Sequence, residues 1–396
     1  MKILFVSAWF PFPPNNGSKI RTYNIMKELS RDNDVYLASL LQDDSNPAAA
    51  EPFCEVLATH KLKWFDPTSS GSVKDFLSKR PRSVTDEFIP AMKEDVRKIV
   101  ADIKPDVIAA VTMGAAEYIP FDAGVPIILD NHNCEFAVLR RNALKHKSPV
   151  KRLRYLLGAE KYRRYEVDFC RKCAAIAAVS ESDKGMLAKA GVLSDRIFVV
   201  PNAVDTEYYE GVKRQPDKNL LLYNGALTYR ANRDAALYFA KGIYPLIAEK
   251  MPEAVLEITG KTEGVNLEGI KDRPGIRLTG YVDDIREELA KAAVCVVPLR
   301  EGGGSRLKIL EAMAAGVPVV STSVGAEGIE VTRGKNILIA DTPKDFAEAV
   351  ISLTNNDTLT GNLAKAAKEF VSTYYSRKRL GDGFAGIIKS VTGVQK

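Results

Sequence analysis

Histidine, cysteine and long apolar runs are all scarce in this chain of 396 residues. Three histidines and no carboxylates paired by pattern leave no acid–base centre that spacing alone can locate. The five cysteines (Cys54, Cys134, Cys170, Cys173 and Cys295) are scattered and odd in number, which argues for reduced thiols and a cytoplasmic protein. Cys170 and Cys173 make one C-x-x-C, but no second pair and no nearby histidine pair accompany it. Both fall on a helical stretch running into a strand, which favours packing over zinc. No run of 18 apolar residues exists, so no membrane-spanning helix is expected. The opening KILFVSAWF meets Pro11 with no small-residue cleavage site and reads as a first strand rather than a signal peptide. Nothing matches G-x-x-x-x-G-K-[ST], which excludes a P-loop. The first strand leads into AWFPFPPNNGS instead of G-x-G-x-x-G, which excludes the usual dinucleotide fingerprint. Internal repeats and low-complexity tracts are missing too.

What is present is a soluble composition, 46% hydrophobic and 27% charged, at a length that suits two domains. Strand-like apolar runs alternate with amphipathic helical stretches throughout, the pattern of α/β units on parallel sheets. The first half offers strands at Ile3–Ser7, Val35–Leu40, Val107–Val111, Ile127–Leu129, Ile176–Val179 and Ile197–Val200, and a helix over Ile20–Ser30. The polar stretch PNAVDTEYYEGVKRQPDKN then reads as a linker, with a hinge expected near Val204–Lys218. A second series follows: Leu220–Tyr223, Val255–Thr259, Ile276–Thr279, Val294–Pro298, Val317–Ser321 and Ile337–Ile339. Two Rossmann-like halves place a ligand in a cleft at the carboxyl ends of their strands.

Val294 to Val324, VCVVPLREGGGSRLKILEAMAAGVPVVSTSV, carries most of the chemistry. A buried strand ends near Pro298, and Gly302, Gly303 and Gly304 follow. Ser305 is the expected N-cap of a helix from Arg306 to Ala315, which Gly316 stops. Glycines before a helix let backbone approach a ligand, and the helix N-terminus favours an anion. Arg306 and Lys308 add positive charge, and Glu311 is a lone carboxylate able to accept two hydroxyl bonds. An anion cradle with a diol acceptor one turn away fits a nucleoside diphosphate. The plain alternatives are a glycine turn used for geometry and a surface carboxylate.

The chain resembles glycosyltransferase family 4 of the GT-B fold. The resemblance is carried by PPNNGSKIRTYNIMKEL, VSESDKGML, VPNAVDTEYY, YNGALTYRANRDAALYF and GGGSRLKILEAMAAGVPVVSTSVGAEGI, in that order over nearly the whole length. It implies a hexose-type sugar moved from a nucleoside-diphosphate donor to a saccharide or lipid-linked saccharide, as in cell-surface polysaccharide synthesis. It further implies retention and no metal, the leaving phosphate taking the acceptor's proton so that no dedicated side-chain base is needed. Residues 1–203, with 375–396 packing back, would take the acceptor, and residues 204–374 the donor.

By the same resemblance, Gly17, Gly225, Arg230, Gly303, Gly304, Ser305, Arg306, Leu307, Lys308 and Glu311 would hold the donor. His132, Arg306 and Lys308 would serve the chemistry, and Glu135 and Arg21 the acceptor side. Gly17 fits equally a turn closed by Asn15-Asn16-Gly17, and His132 equally a structural histidine. Three positions depart from the family pattern. Gly303 stands where a second glutamate is usual, with Glu301 nearby. Ala226 and Asn232 replace an arginine and a lysine, with Arg230 and Arg233 close by, and Ala203 replaces a glycine after Asn202. The Gly303 change keeps open an inert nucleotide-sugar-binding or partner module. A nucleotide-sugar epimerase is the other alternative.

The net charge of +6 is unevenly spread. From Arg140 to Lys172 twelve Lys/Arg face only Glu160, Glu166 and Asp168, so this segment carries the whole excess. It reads as a solvated helix face, as a contact for an anionic membrane at its inner face, or as a site for an anionic acceptor. Nucleic acid is not expected, since no binding module is recognisable.

Overall fold

The computed structural model describes residues 1–64, 78, 80–271, 273–301 and 306–393. It divides into two compact units, Met1–Pro201 with Leu380–Lys396, and Asn202–Arg379. The seams thus fall at 201/202 and 379/380 rather than at 203/204 and 374/375.

The first unit is built on seven parallel strands: β1 (Lys2–Ser7), β2 (Asp34–Leu41), β3 (Glu55–Lys61), β4 (Val107–Val111), β5 (Ile127–Asn131), β6 (Ala175–Ala178) and β7 (Ile197–Val199). Their order is β3-β2-β1-β4-β5-β6-β7. β4, β5 and β6 are buried along their whole length, as their near-continuous apolar runs require in a sheet covered on both faces. β3 escaped the sequence reading. It is an edge strand, EVLATHK, with only three apolar residues in a row and no fully buried position. The order reverses between β1 and β4, which opens a crevice at the carboxyl ends of those strands.

Three helices of this unit bear on function. Helix α1 (Gly17–Leu29) starts at Asn16, whose side chain accepts from the Lys19 N–H at 3.1 Å. Helices α2 (Glu135–Leu144) and α3 (Pro149–Lys172) form a hairpin after β5. Ser148 caps α3 and Pro149 occupies its first turn.

The second unit repeats the plan with six parallel strands: β8 (Asp217–Asn224), β9 (Val255–Thr259), β10 (Ile276–Gly280), β11 (Ala292–Val297), β12 (Val319–Ser321) and β13 (Leu338–Ile339). The order is β10-β9-β8-β11-β12-β13, so its switch point lies between β8 and β11. Helix α4 (Arg230–Tyr238) follows β8, and helix α5 (Leu307–Ala314) follows β11. Ile309, Leu310, Ala312 and Met313 of α5 are buried, which fixes the roll of the helix. Gly316 ends it at φ +72°, where its N–H and that of Val317 bond back to Met313 and Ala312 carbonyls. Helix α6 (Arg377–Thr392) closes the chain.

The expected linker is largely structured. Val204 and Tyr209 sit in the apolar core of the second unit, and Val204 bonds the Tyr375 carbonyl at 2.9 Å. Arg377 pairs with Asp205 and Glu207, tying the short Thr206–Glu210 helix to the start of α6. All five cysteines are buried free thiols.

Candidate functional site

In the second unit, polar side chains gather where β8, β9 and β11 end. Asn224, the last residue of β8, donates to the Glu311 carboxylate at 3.3 Å and accepts from the Thr259 hydroxyl at 3.2 Å. Tyr209 adds a phenolic bond to Glu311. Burial still pushes the Glu311 carboxyl above its ordinary range, against the pull of Lys308 and Tyr209. Glu311 is therefore a carboxylate held in one orientation by amide and phenol, with lone pairs left for a ligand.

Lys308 lies one turn before Glu311 on the same helix face. Its ammonium donates to Asn232 Oδ1 at 3.0 Å and stands 4.6 Å from the centre of the Tyr223 ring. Asn232 is in turn fixed by its Nδ2 bond to the Ala226 carbonyl at 3.0 Å and by the Tyr223 hydroxyl. Burial, then the charge of Arg306, brings Lys308 down to about 7 in spite of Cys295 and Glu311. Gly225 completes the cradle: a Cβ there would stand 2.5 Å from Lys308 Nζ and 3.0 Å from Asn232. Arg306, buried at 9% exposure, takes the position before α5 that sequence assigned to Ser305.

Not every expected donor residue joins this group. Arg230 is 69% exposed and pairs with Glu301 at 3.3 Å. The Leu307 side chain packs on the apolar core, which leaves only its backbone for a ligand. Gly303, Gly304 and Ser305 lie outside the described residues. Sequence reading treated Asn232 only as a lost lysine, and it missed Asn224, Thr259, Tyr209 and Tyr223. Position offered one signal, since Asn224 ends β8 at the switch point and Thr259 ends the neighbouring β9.

In the first unit, His132 follows β5 and anchors a buried chain of polar groups. Its Nε2 is 2.8 Å from Asp130 Oδ2, and its Nδ1 is 2.9 Å from Ser18 Oγ on the first turn of α1. Arg21 donates to Asp130 Oδ1 through Nε at 2.9 Å, and its Nη2 stands 2.8 Å from the same oxygen in an ion pair. Arg21 also donates to the Val200 carbonyl at 2.8 Å. Burial pushes the Asp130 carboxyl up, but the charges of Arg21 and His132 outweigh it and hold the group at about 2. An ionised Asp130 only accepts, so His132 Nε2 donates to it, and Nδ1 shares a hydrogen bond with the Ser18 hydroxyl. Arg21 is therefore not an acceptor-binding cation: at 1% exposure it is spent on Asp130 and on the backbone.

Gly17 is the exposed first residue of α1, beside Ser18. Glu135 opens α2, bonds Asn133, and is pushed up by burial. Behind it Glu166, fully buried, accepts from the Phe136 N–H at 3.0 Å and is pushed up to about 8 by burial, with Glu135 adding repulsion.

Comparison with known proteins fits this geometry. The model described as Glycosyltransferase Family 4 matches residues 15–208, and that described as Glycosyl transferases group 1 matches residues 218–356. An uncharacterized 44.6 kDa protein in the cps region of Klebsiella pneumoniae is 27% identical over 43% of this chain and 45% of its own. An uncharacterized glycosyltransferase of Methanocaldococcus jannaschii is 29% identical over 45% of this chain and 49% of its own. The chain therefore spans about half the length of these curated relatives. Among solved structures, Anabaena HepE in complex with UDP-glucose superposes with a TM-score of 0.68 at 17% identity, covering 98% of this chain and all of that one. WaaG, a glycosyltransferase involved in lipopolysaccharide biosynthesis, gives 0.62 at 16% identity, covering 99% and 100%. The architecture is GT-B, and with both halves matched the chain belongs to the group 1, family 4 glycosyltransferases.

Proposed function

We propose that this enzyme transfers a hexose-type sugar from a nucleoside-diphosphate donor to a saccharide or lipid-linked saccharide in cell-surface polysaccharide synthesis, with retention and without metal. The observation that carries the reading is Glu311 and Lys308 one turn apart on α5 at the switch point of the second unit. Glu311 would accept the two ribose hydroxyls. Lys308 and Arg306 would face the diphosphate, and Gly225 leaves the space. As the anomeric carbon–oxygen bond breaks, negative charge grows on the diphosphate, where fixed cations lower the barrier. The acceptor oxygen bonds the anomeric carbon, and its proton passes to the leaving phosphate.

For the first unit the reading assigns the acceptor, with His132 and Ser18 offering hydrogen bonds. UDP is the first nucleotide to test because HepE was solved with UDP-glucose and WaaG works in lipopolysaccharide synthesis. The capsule-region relative points the same way.

Thermal shift and calorimetry with UDP, GDP, ADP, TDP and CMP, and with their sugar conjugates in EDTA, test the donor site. One nucleoside diphosphate should raise the melting temperature, and Glu311→Ala should remove the effect. No shift at millimolar nucleotide would sink the assignment and favour an inert module. Turnover of the stabilising nucleotide sugar into an epimer, with no transfer to saccharide acceptors, would favour the epimerase.

A further inference from the structure

The basic segment is two different surfaces. Ala159 is the first buried residue of α3, and beyond it Glu166, Val167, Phe169 and Cys170 turn toward the core of the first unit. Before it, every residue from Pro149 to Gly158 is exposed except Leu156, which is half-buried. The apolar residues there stand largely open to solvent: Val150 is 78% exposed, Leu153 60% and Leu157 54%. Their spacing places them on one helical face. Leu139 and Leu144 of the facing α2 are exposed too, and Tyr155 stacks on His146 with ring centres 4.5 Å apart.

Residues 139–157 thus hold six of the fifteen exposed large hydrophobics among the described residues, in nineteen positions. Chance scatter would put about one there. The same nineteen positions carry seven Lys/Arg, Lys147, Lys151 and Arg154 among them, and no Asp or Glu. A solvated helix face explains the cations and leaves the leucines unexplained. A site for a small anionic acceptor explains neither the leucines nor exposure around the whole helix.

We propose that the α2–α3 hairpin tip, residues 139–157, docks the enzyme on an anionic lipid surface, the leucine and valine side chains entering the interface between the headgroups. Charge complementarity selects an anionic partner. The apolar residues select a bilayer over nucleic acid, because they stand on a convex tip and a soft interface needs no matching groove. Cations draw the tip to the surface and apolar side chains hold it there, and each element alone binds only weakly. Long Lys and Arg side chains lie along the apolar stripe with their charges in the headgroup layer. The inference goes beyond the transfer reaction and uses none of the residues assigned to it.

Co-sedimentation of the full chain with vesicles of about one-third phosphatidylglycerol in phosphatidylcholine tests it. Binding should be strong to these and about tenfold or more weaker to phosphatidylcholine alone, and should fall when salt is raised to ~0.5 M. Leu153→Ser with Leu157→Ser, and separately Lys151→Glu with Arg154→Glu, should each lose about tenfold or more in vesicle binding. Both variants should keep their melting temperature and nucleotide response, since all four residues are exposed. Wild-type protein that stays in solution, or variants that bind vesicles as well as wild type, would overturn the proposal. So would binding to an RNA or an acidic polymer without binding to vesicles. Because vesicle binding is read without turnover, this proposal and the transferase reading fail separately.

Discussion

Lys308 is the residue on which charge and function meet. Facing its ammonium are Tyr223 from β8, Asn232 from α4, Cys295 from β11, and Arg306 and Glu311 from its own segment. With its value near 7, it is charged below neutrality and increasingly neutral above it. A bound diphosphate favours the charged form and raises that value. Nucleotide-sugar affinity should therefore be full below pH 7 and fall by up to about tenfold per unit above it. Isothermal titration across pH 6–9 in buffers of different ionisation heat should also show proton uptake on binding. Lys308→Met should bind less tightly and lose the slope. Glu311→Gln keeps the size and one acceptor but removes the charge, and should cost about 1.5–3 kcal/mol of nucleotide affinity, read by the same titration. Both residues were legible in sequence because helix periodicity puts them on one face. Asp130 was not, although a carboxylate in the strand IILDN was the available sign. Its role depends on Arg21, which lies 109 residues away in sequence.

Among the elements, the loop after β8 matters most. Gly260, at φ +124°, lets its backbone run beside that of Gly225 and Ala226, where a Cβ would sit 2.6 Å from the Gly225 carbonyl carbon. Gly225 faces the flexible end of Lys308, so Gly225→Ala should fold normally and move the ammonium off Asn232. Nucleotide affinity should drop about tenfold with little change in melting temperature, whereas Gly260→Ala should lower the melting temperature itself. Strands β8, β11 and β12 of the second unit were legible because each holds a continuous apolar run. The start of α5 was less so, because Arg306 rather than a small polar residue precedes it. The stretch 201–219, read as linker, holds more order than its sequence announces. Its polar composition hides Val204 and Tyr209, whose burial only the assembled core reveals.

At the scale of the whole molecule, each unit carries its own sheet and core, so groups buried in either one write their titration into stability. In the first unit Glu166 is fully buried and titrates near 8 instead of 4.5. Because its folded value is the higher one, its contribution is complete below about pH 4.5 and is lost as pH rises through about 8, a change of a few kcal/mol. Asp130 acts at the other end: its folded value of about 2 gives stability that is full above about 3.8 and lost as pH falls through 2. Unfolding midpoints should therefore peak on the acid side of neutrality and decline from pH 5 to 8. Above 7 Lys308 opposes the decline, since its depressed value makes stability rise from 7 toward 10.5. Glu135, Glu257 and Glu311 are raised as well and join the decline below 7, so the share of Glu166 is read between pH 5 and 7 as the difference between its variant and wild type. Glu166→Gln keeps an acceptor for the Phe136 N–H and removes the titrating charge, so its midpoint should stay flatter across that window and exceed wild type at pH 7.5. Asp130→Asn should instead lose about 3–5 kcal/mol at neutral pH, because it leaves the buried Arg21 guanidinium without its counter-charge. A Glu166→Gln midpoint that falls as steeply as wild type between pH 5 and 7 would show that the buried carboxylate is not what sets the decline.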